Sequence, residues 1–144
     1  MNKQLNSLDK KIIEKLKEIG LPFLRYSLAI VFIWLGSLKF LNTSPATDLI
    51  AKTVYWFSPT WFVPFLGVWE VAIGISLLYK PLIRLGLFLM TFQMLGTFLP
   101  FIILPEVVFG EKLYILTLEG QYIIKNLVLI AAAIVIGSNV RNNK

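Results

Sequence analysis

The 144-residue chain has no cysteine and no histidine, and only 15% of its residues are charged. Each shortage removes a class of chemistry. Without cysteine there is no disulfide, thiol redox couple or thiolate metal site. Without histidine there is no histidine-ligated haem, no zinc-hydrolase centre, and neither a Ser/His/Asp nor a Cys/His triad. Glu, Lys, Arg, Tyr and Trp remain as the residues able to act. A soluble domain carries roughly 45–50% apolar and about 25% charged residues. This chain is 57% hydrophobic, with a mean hydropathy of +0.75, which argues against an ordinary water-soluble fold. Its length suits one domain.

Lys and Arg total 14 against 8 Asp and Glu, a net charge of +6. Placement decides what that excess means. Lys3, Lys10, Lys11, Lys15 and Lys17 crowd the first twenty residues, Lys80 and Arg84 sit mid-chain, and Arg141 and Lys144 close it. These positions flank apolar runs and form no face suited to tracking phosphates, so nucleic acid is not an expected partner.

Four apolar runs, at about 21–41, 63–79, 82–104 and 120–137, approach or exceed the ~20 helical residues that cross a hydrocarbon core. The expected fold is all-α: an integral membrane four-helix bundle preceded by an amphipathic helix over residues 1–20, with residues 21–144 as the membrane domain. In that leader Leu8, Ile12, Leu16 and Ile19 recur at helical spacing while lysines and glutamates fill the other face, as for a helix lying in the membrane interface. Ser7 can cap it, and Gly20 with Pro22 is expected to end it. The long charged leader and long apolar run argue for an uncleaved anchor. With four spans, all three basic clusters fall on one side, which lysine and arginine bias places in the cytoplasm together with both termini. The opposite loops, about 42–62 and 105–119, show no positive excess. In the first of them Tyr55, Trp56, Trp61 and Phe62 form an interfacial aromatic belt.

Each span carries a stripe at spacings of three and four, the register that meets neighbouring helices. The stripes are Arg25, Ala29, Phe32, Gly36 and Lys39; Gly67, Glu70, Gly74 and Leu77; Gly86, Met90, Gln93, Thr97 and Pro100; and Gln121, Lys125, Val128 and Ala132. A charge at a span centre costs about 2.5–3.5 kcal/mol, whereas each Leu or Ile returns only about 0.3–0.6. Glu70 is therefore the sharpest signal. At about 1.5 Å per residue it lies roughly 10 Å below the outer end of its span and Lys125 roughly 7 Å below the outer end of the fourth, near enough to pair. Lys39 enters at a similar level. Such a pair is a structural clamp or a ligand- or proton-handling site. Arg25 and Lys39 are within snorkelling reach of the two interfaces and fit an anchoring role. Gln93 fits an interhelical hydrogen bond. Trp34 and Trp69 fit belt or packing positions, or a stacking surface for a flat lipophilic ring.

The motifs Trp34-Leu35-Gly36-Ser37-Leu38-Lys39-Phe40, Ser58-Pro59, Glu70 with Gly74, Leu104-Pro105-Glu106 and Gly120-Gln121-Tyr122-Ile123-Ile124-Lys125-Asn126-Leu127-Val128-Leu129 resemble those of the DoxX-like superfamily. The likeness is to the subgroup of the reactive chlorine resistance inner-membrane protein and runs from Arg25 to Gly137. Gln121 and Asn126 stand where that subgroup usually has Arg and Asp. The resemblance implies a four-helix bacterial inner-membrane protein connected with oxidant stress, without an established reaction. The wider superfamily spans an oxidoreductase subunit and non-enzymatic receptors or chaperones, and kinship of fold does not choose among them.

Three functions follow as expectations. The first is a small lipophilic or anionic ligand, or a partner protein, bound in an outward-facing polar pocket of Lys39, Glu70, Gln93 and Lys125, with Trp34 and Trp69 beside it and Arg25 and Asn126 secondary. The second is a quinone-linked oxidoreductase subunit, which needs a membrane partner subunit or bound cofactor because the chain has no nucleotide motif. The third is a small-solute or proton permease, which needs a homo-oligomer to enclose a pore. No metal site is expected.

Overall fold

The computed structural model describes residues 3–112 and 114–141. Among these the fold is all-α, with one isolated bridge between Phe109 and Leu116. The helices are α1 Lys3–Phe40, α2 Thr47–Thr53, α3 Pro59–Leu78, α4 Ile83–Thr97, α5 Pro100–Ile103, α6 Pro105–Val108, α7 Leu118–Ile124 and α8 Asn126–Asn139. Four stretches are long and apolar enough to cross a membrane: 6–40, 59–78, 80–103 and 118–139. The chain is a multi-pass membrane protein of four candidate spans. Large apolar side chains such as Ile30, Phe88, Phe92, Leu95 and Ile134 stand exposed around the bundle, an outward apolar surface that suits contact with lipid and that a soluble monomer rarely shows.

The leader and first span are one helix, contrary to the expected stop at Gly20 and Pro22. α1 runs unbroken through both residues, and at about 1.5 Å per residue it reaches roughly 57 Å. Pro22 removes one bond, to the carbonyl of Glu18, and its ring crowds that carbonyl. Residues 6–20 are all exposed, so solvent can take the freed oxygen, and Gly20 costs only about 1 kcal/mol relative to Ala. Neither is enough to break a 38-residue helix.

The other end of α1 is sharply fixed. Asn42 adopts φ 57°, the Thr43 amide donates to the Leu38 carbonyl at 2.9 Å and the Asn42 amide to the Lys39 carbonyl at 3.2 Å. This is a Schellman stop, and it leaves Lys39 in the last turn.

α1 packs on α3, α3 on α4, α4 on α8 and α8 back on α1, closing a four-helix ring. Its core holds Leu28, Ala29, Phe32, Ile73, Leu77, Ile83, Met90, Met94, Ala132 and Ile136. The first and second stripes are buried throughout; the third is buried at Gly86, Met90 and Pro100 and half-buried at Gln93 and Thr97.

The fourth stripe requires correction. Gln121, Lys125 and Val128 are exposed, and the inward face is Gly120, Ile123, Ala132 and Ile136. Two features turn the helix. Gly120 lies so close to α6 that a Cβ there would overlap the Val108 carbonyl oxygen. The span also breaks at Lys125 between α7 and α8. The loop before α7 is ordered by Thr117, whose hydroxyl donates to the Val107 carbonyl at 2.6 Å and accepts from the Gly120 amide at 3.2 Å, an N-cap.

α3 begins at Pro59, four residues before the expected Val63, because proline suits a first helical turn. At the same end of the bundle Tyr55, Trp56, Phe57 and Trp61 are exposed and in mutual ring contact, as expected of an interfacial belt.

Candidate functional site

Where α1 meets α3 the backbones nearly touch. A methyl group on Gly36 would sit 2.6 Å from the Gly67 carbonyl oxygen, and one on Gly67 would sit 2.6 Å from that of Gly36. Gly36 precedes Lys39 by three residues and Gly67 precedes Glu70 by three, so on each helix the glycine and the charged residue share a face. The close approach of the glycines brings the two charges into contact. Lys39 Nζ donates to Glu70 Oε2 at 2.6 Å, with both side chains about nine-tenths buried. Gln93, reaching in from α4, donates through Nε2 to Glu70 Oε1. Both carboxylate oxygens are thus engaged from different helices.

Two hydrogen-bonding capacities are left. Gln93 Oε1 is buried with no partner among the described residues. The Lys39 ammonium carries three donors, of which one is used in bonds among the described residues. The cluster therefore presents a free acceptor beside free donors, in a location where unmet polar groups are costly. It is neutral overall, since Lys39 balances Glu70.

Glu70 is deeper than its expected position. Measured from Pro59, it lies eleven residues into α3, about 17 Å at the helical rise, close to the middle of the helix. Lys39 and Glu70 do not snorkel or anchor; they turn inward and meet.

Lys125 does not join the site. It is exposed at the α7/α8 break, with its ammonium 5.2 Å from the centre of the Tyr122 ring. The expected Glu70–Lys125 pair is replaced by Glu70–Lys39. Two residues separate Lys125 from inward-facing Ile123, about 200° of helical rotation, which turns the amine outward. Asn126 is half-buried at the start of α8, outside the cluster.

The tryptophans also stand apart. Trp34 is 67% exposed on the outer surface of α1, where it lines a shallow apolar groove of about 380 Å³ with Ile30, Ile33, Ser37 and Leu38. Trp69 follows the same helix as Glu70 but faces α4: its indole donates to the Leu89 carbonyl at 3.3 Å and its ring lies against Phe65 and Phe92. Arg25 is buried but belongs to the other end of the bundle, fourteen residues from Lys39 along α1, about 21 Å.

No group of three or more acidic residues among those described could hold a metal ion. What the cluster can do is bind a neutral polar head inside the membrane or hold three helices together through one carboxylate. Neither a family model, nor a curated protein, nor a solved structure matches this chain.

Proposed function

We propose that the chain is a DoxX-like protein of the bacterial inner membrane, with both termini in the cytoplasm. In this reading the Lys39–Glu70–Gln93 cluster takes the polar head of a small lipophilic ligand, and the bound protein supports survival of reactive chlorine stress. The observation that carries it is the buried, unpartnered Gln93 Oε1 beside the incompletely used ammonium of Lys39. A buried polar atom without a partner calls for one.

The chemistry narrows the ligand. A free anion gains little from a site whose single cation is already neutralised by Glu70 at 2.6 Å, and the second lysine expected there is exposed. A head bearing both a hydroxyl and an acceptor oxygen fits better: the hydroxyl donates to Gln93 Oε1, and the acceptor oxygen accepts a hydrogen bond from Lys39 Nζ. Phenols and quinols have this pattern. Glu70 orients Lys39 and Gln93 at once and is a positioning residue.

The test is extraction of protein purified from its native membrane, followed by mass spectrometry of the extract, alongside hypochlorite survival of cells carrying each variant. The wild type is expected to release a lipophilic compound close to one per chain. Gln93→Leu should release at least tenfold less and survive no better than cells lacking the protein, at unchanged membrane abundance. A ligand-free wild type, or full survival with Gln93→Leu, overturns the proposal.

A further inference from the structure

Arg25 is buried in the bundle with no acidic partner among the described residues, and it has nothing to do with the cluster above. Only 8% of the residue is accessible. Its Nε is buried and makes no hydrogen bond among the described residues, and its Nη2 donates to the hydroxyl of the neighbouring Tyr26 at 3.0 Å. The guanidinium carbon stands 4.8 Å from the centre of the Tyr26 ring. No carboxylate pairs with it among the described residues.

The acids are placed away from it. Asp48, Glu70, Glu106, Glu111 and Glu119 lie at the other end or midway, and Asp9, Glu14 and Glu18 all belong to the exposed leader. Glu18, seven residues away on the same face of α1, is about 10 Å distant at the helical rise. The positions around this end are basic: Lys80 and Arg84 at the α3/α4 turn, and Arg141 after α8. Along α1, Arg25 comes one turn beyond Ala29, whose carbonyl oxygen lies 2.7 Å from where a Cβ on Gly74 would be. That places Arg25 at the level of the last turn of α3, where the span leaves the hydrocarbon.

A buried guanidinium needs a counter-charge, and an aromatic face only partly supplies it. We propose that Arg25 and the Tyr26 hydroxyl bind a phosphate group, as carried by an anionic phospholipid of the leaflet at the basic end. Arginine offers a planar fork that matches phosphate oxygens in pairs. Tyr26, whose hydroxyl the Nη2 edge touches, is 45% exposed. One non-bridging phosphate oxygen accepts from Nη there, a slight turn of the guanidinium presents Nε to the other, and the tyrosine hydroxyl, released from Nη2, donates to one of the same two oxygens.

The test uses the full chain purified in a neutral detergent, with the thermal unfolding midpoint read in the presence of phosphatidylglycerol, of diacylglycerol with the same chains, or of inorganic phosphate. Phosphatidylglycerol is expected to raise the midpoint of the wild type and of Arg84→Gln by about 4 °C or more, with less than a third of that shift in Arg25→Gln. Diacylglycerol should give no shift. If inorganic phosphate alone gives the same Arg25-dependent shift, the site stands and free phosphate is its source. An undiminished shift in Arg25→Gln, or an equal one with diacylglycerol, overturns the proposal. Should Arg25→Gln not accumulate, Arg25→Lys keeps the charge but loses the fork and is expected to bind phosphatidylglycerol roughly tenfold more weakly; unchanged affinity overturns the proposal equally.

Discussion

At the scale of single residues, the energetics centre on one carboxylate. Glu70 receives Lys39 on one oxygen and Gln93 on the other, so removing any member strands the rest. Lys39→Met leaves a buried charge uncompensated and should cost about 3–5 kcal/mol of stability, read as loss of the folded species in detergent. The double change Lys39→Met with Glu70→Leu removes both charges and should recover most of that loss, because desolvation offsets much of what a buried ion pair contributes. The glycines are equally constrained. Gly67→Ala puts a methyl 2.6 Å from the Gly36 carbonyl and 2.7 Å from the Phe40 amide, so α1 and α3 must separate and the Lys39–Glu70 contact lengthens. A drop in unfolding midpoint comparable with that of Lys39→Met is expected, whereas Gly96→Ala, with nothing near its Cβ, should be neutral or stabilising.

At the scale of elements, what was legible in the sequence and what was not divide along a physical line. Glu70 was visible because a charge interrupts an apolar run, and the stripes of the first two spans were visible because Gly36, Lys39, Gly67 and Glu70 repeat at helical spacing. Which amine meets Glu70 depends on how helices lie against one another, and periodicity within one helix carries no such information. The Schellman stop at Asn42 sets the level of Lys39, and the start of α3 at Pro59 sets that of Glu70. The break at Lys125 and the seat of Gly120 on α6 turn the fourth span away from its expected face. Gly20 and Pro22 misled in the opposite sense, since stop signals in an exposed stretch were overridden by the length of α1. The small polar residue that organises the loop between α6 and α7, Thr117, had a sequence signal in its place just before an apolar run. Thr117→Val keeps the shape but loses the bonds to Val107 and Gly120; it should cost about 1 kcal/mol, measured as a lower unfolding midpoint with the span count unchanged.

At the scale of the whole molecule, four spans put the N-terminal leader and the end of α8 on one side and α2, α6 and the loop to α7 on the other. The absence of native cysteine gives a clean test. A single cysteine at Glu111 and another at Arg141, both exposed, should react with a membrane-impermeant reagent from opposite sides, Glu111→Cys in intact cells and Arg141→Cys only after permeabilisation, if the basic side is cytoplasmic. The ring of α1, α3, α4 and α8 has an interior polar contact where Lys39, Glu70 and Gln93 converge, beside an apolar core. The reversal Lys39→Glu with Glu70→Lys tests that convergence most directly, by the yield of monodisperse folded protein against each single reversal. Each single reversal buries two like charges and should reduce the yield at least tenfold, while the double reversal should restore a substantial part of it. Tolerance of either single reversal, or a double reversal no better than the singles, would mean that the two side chains do not meet inside the bundle.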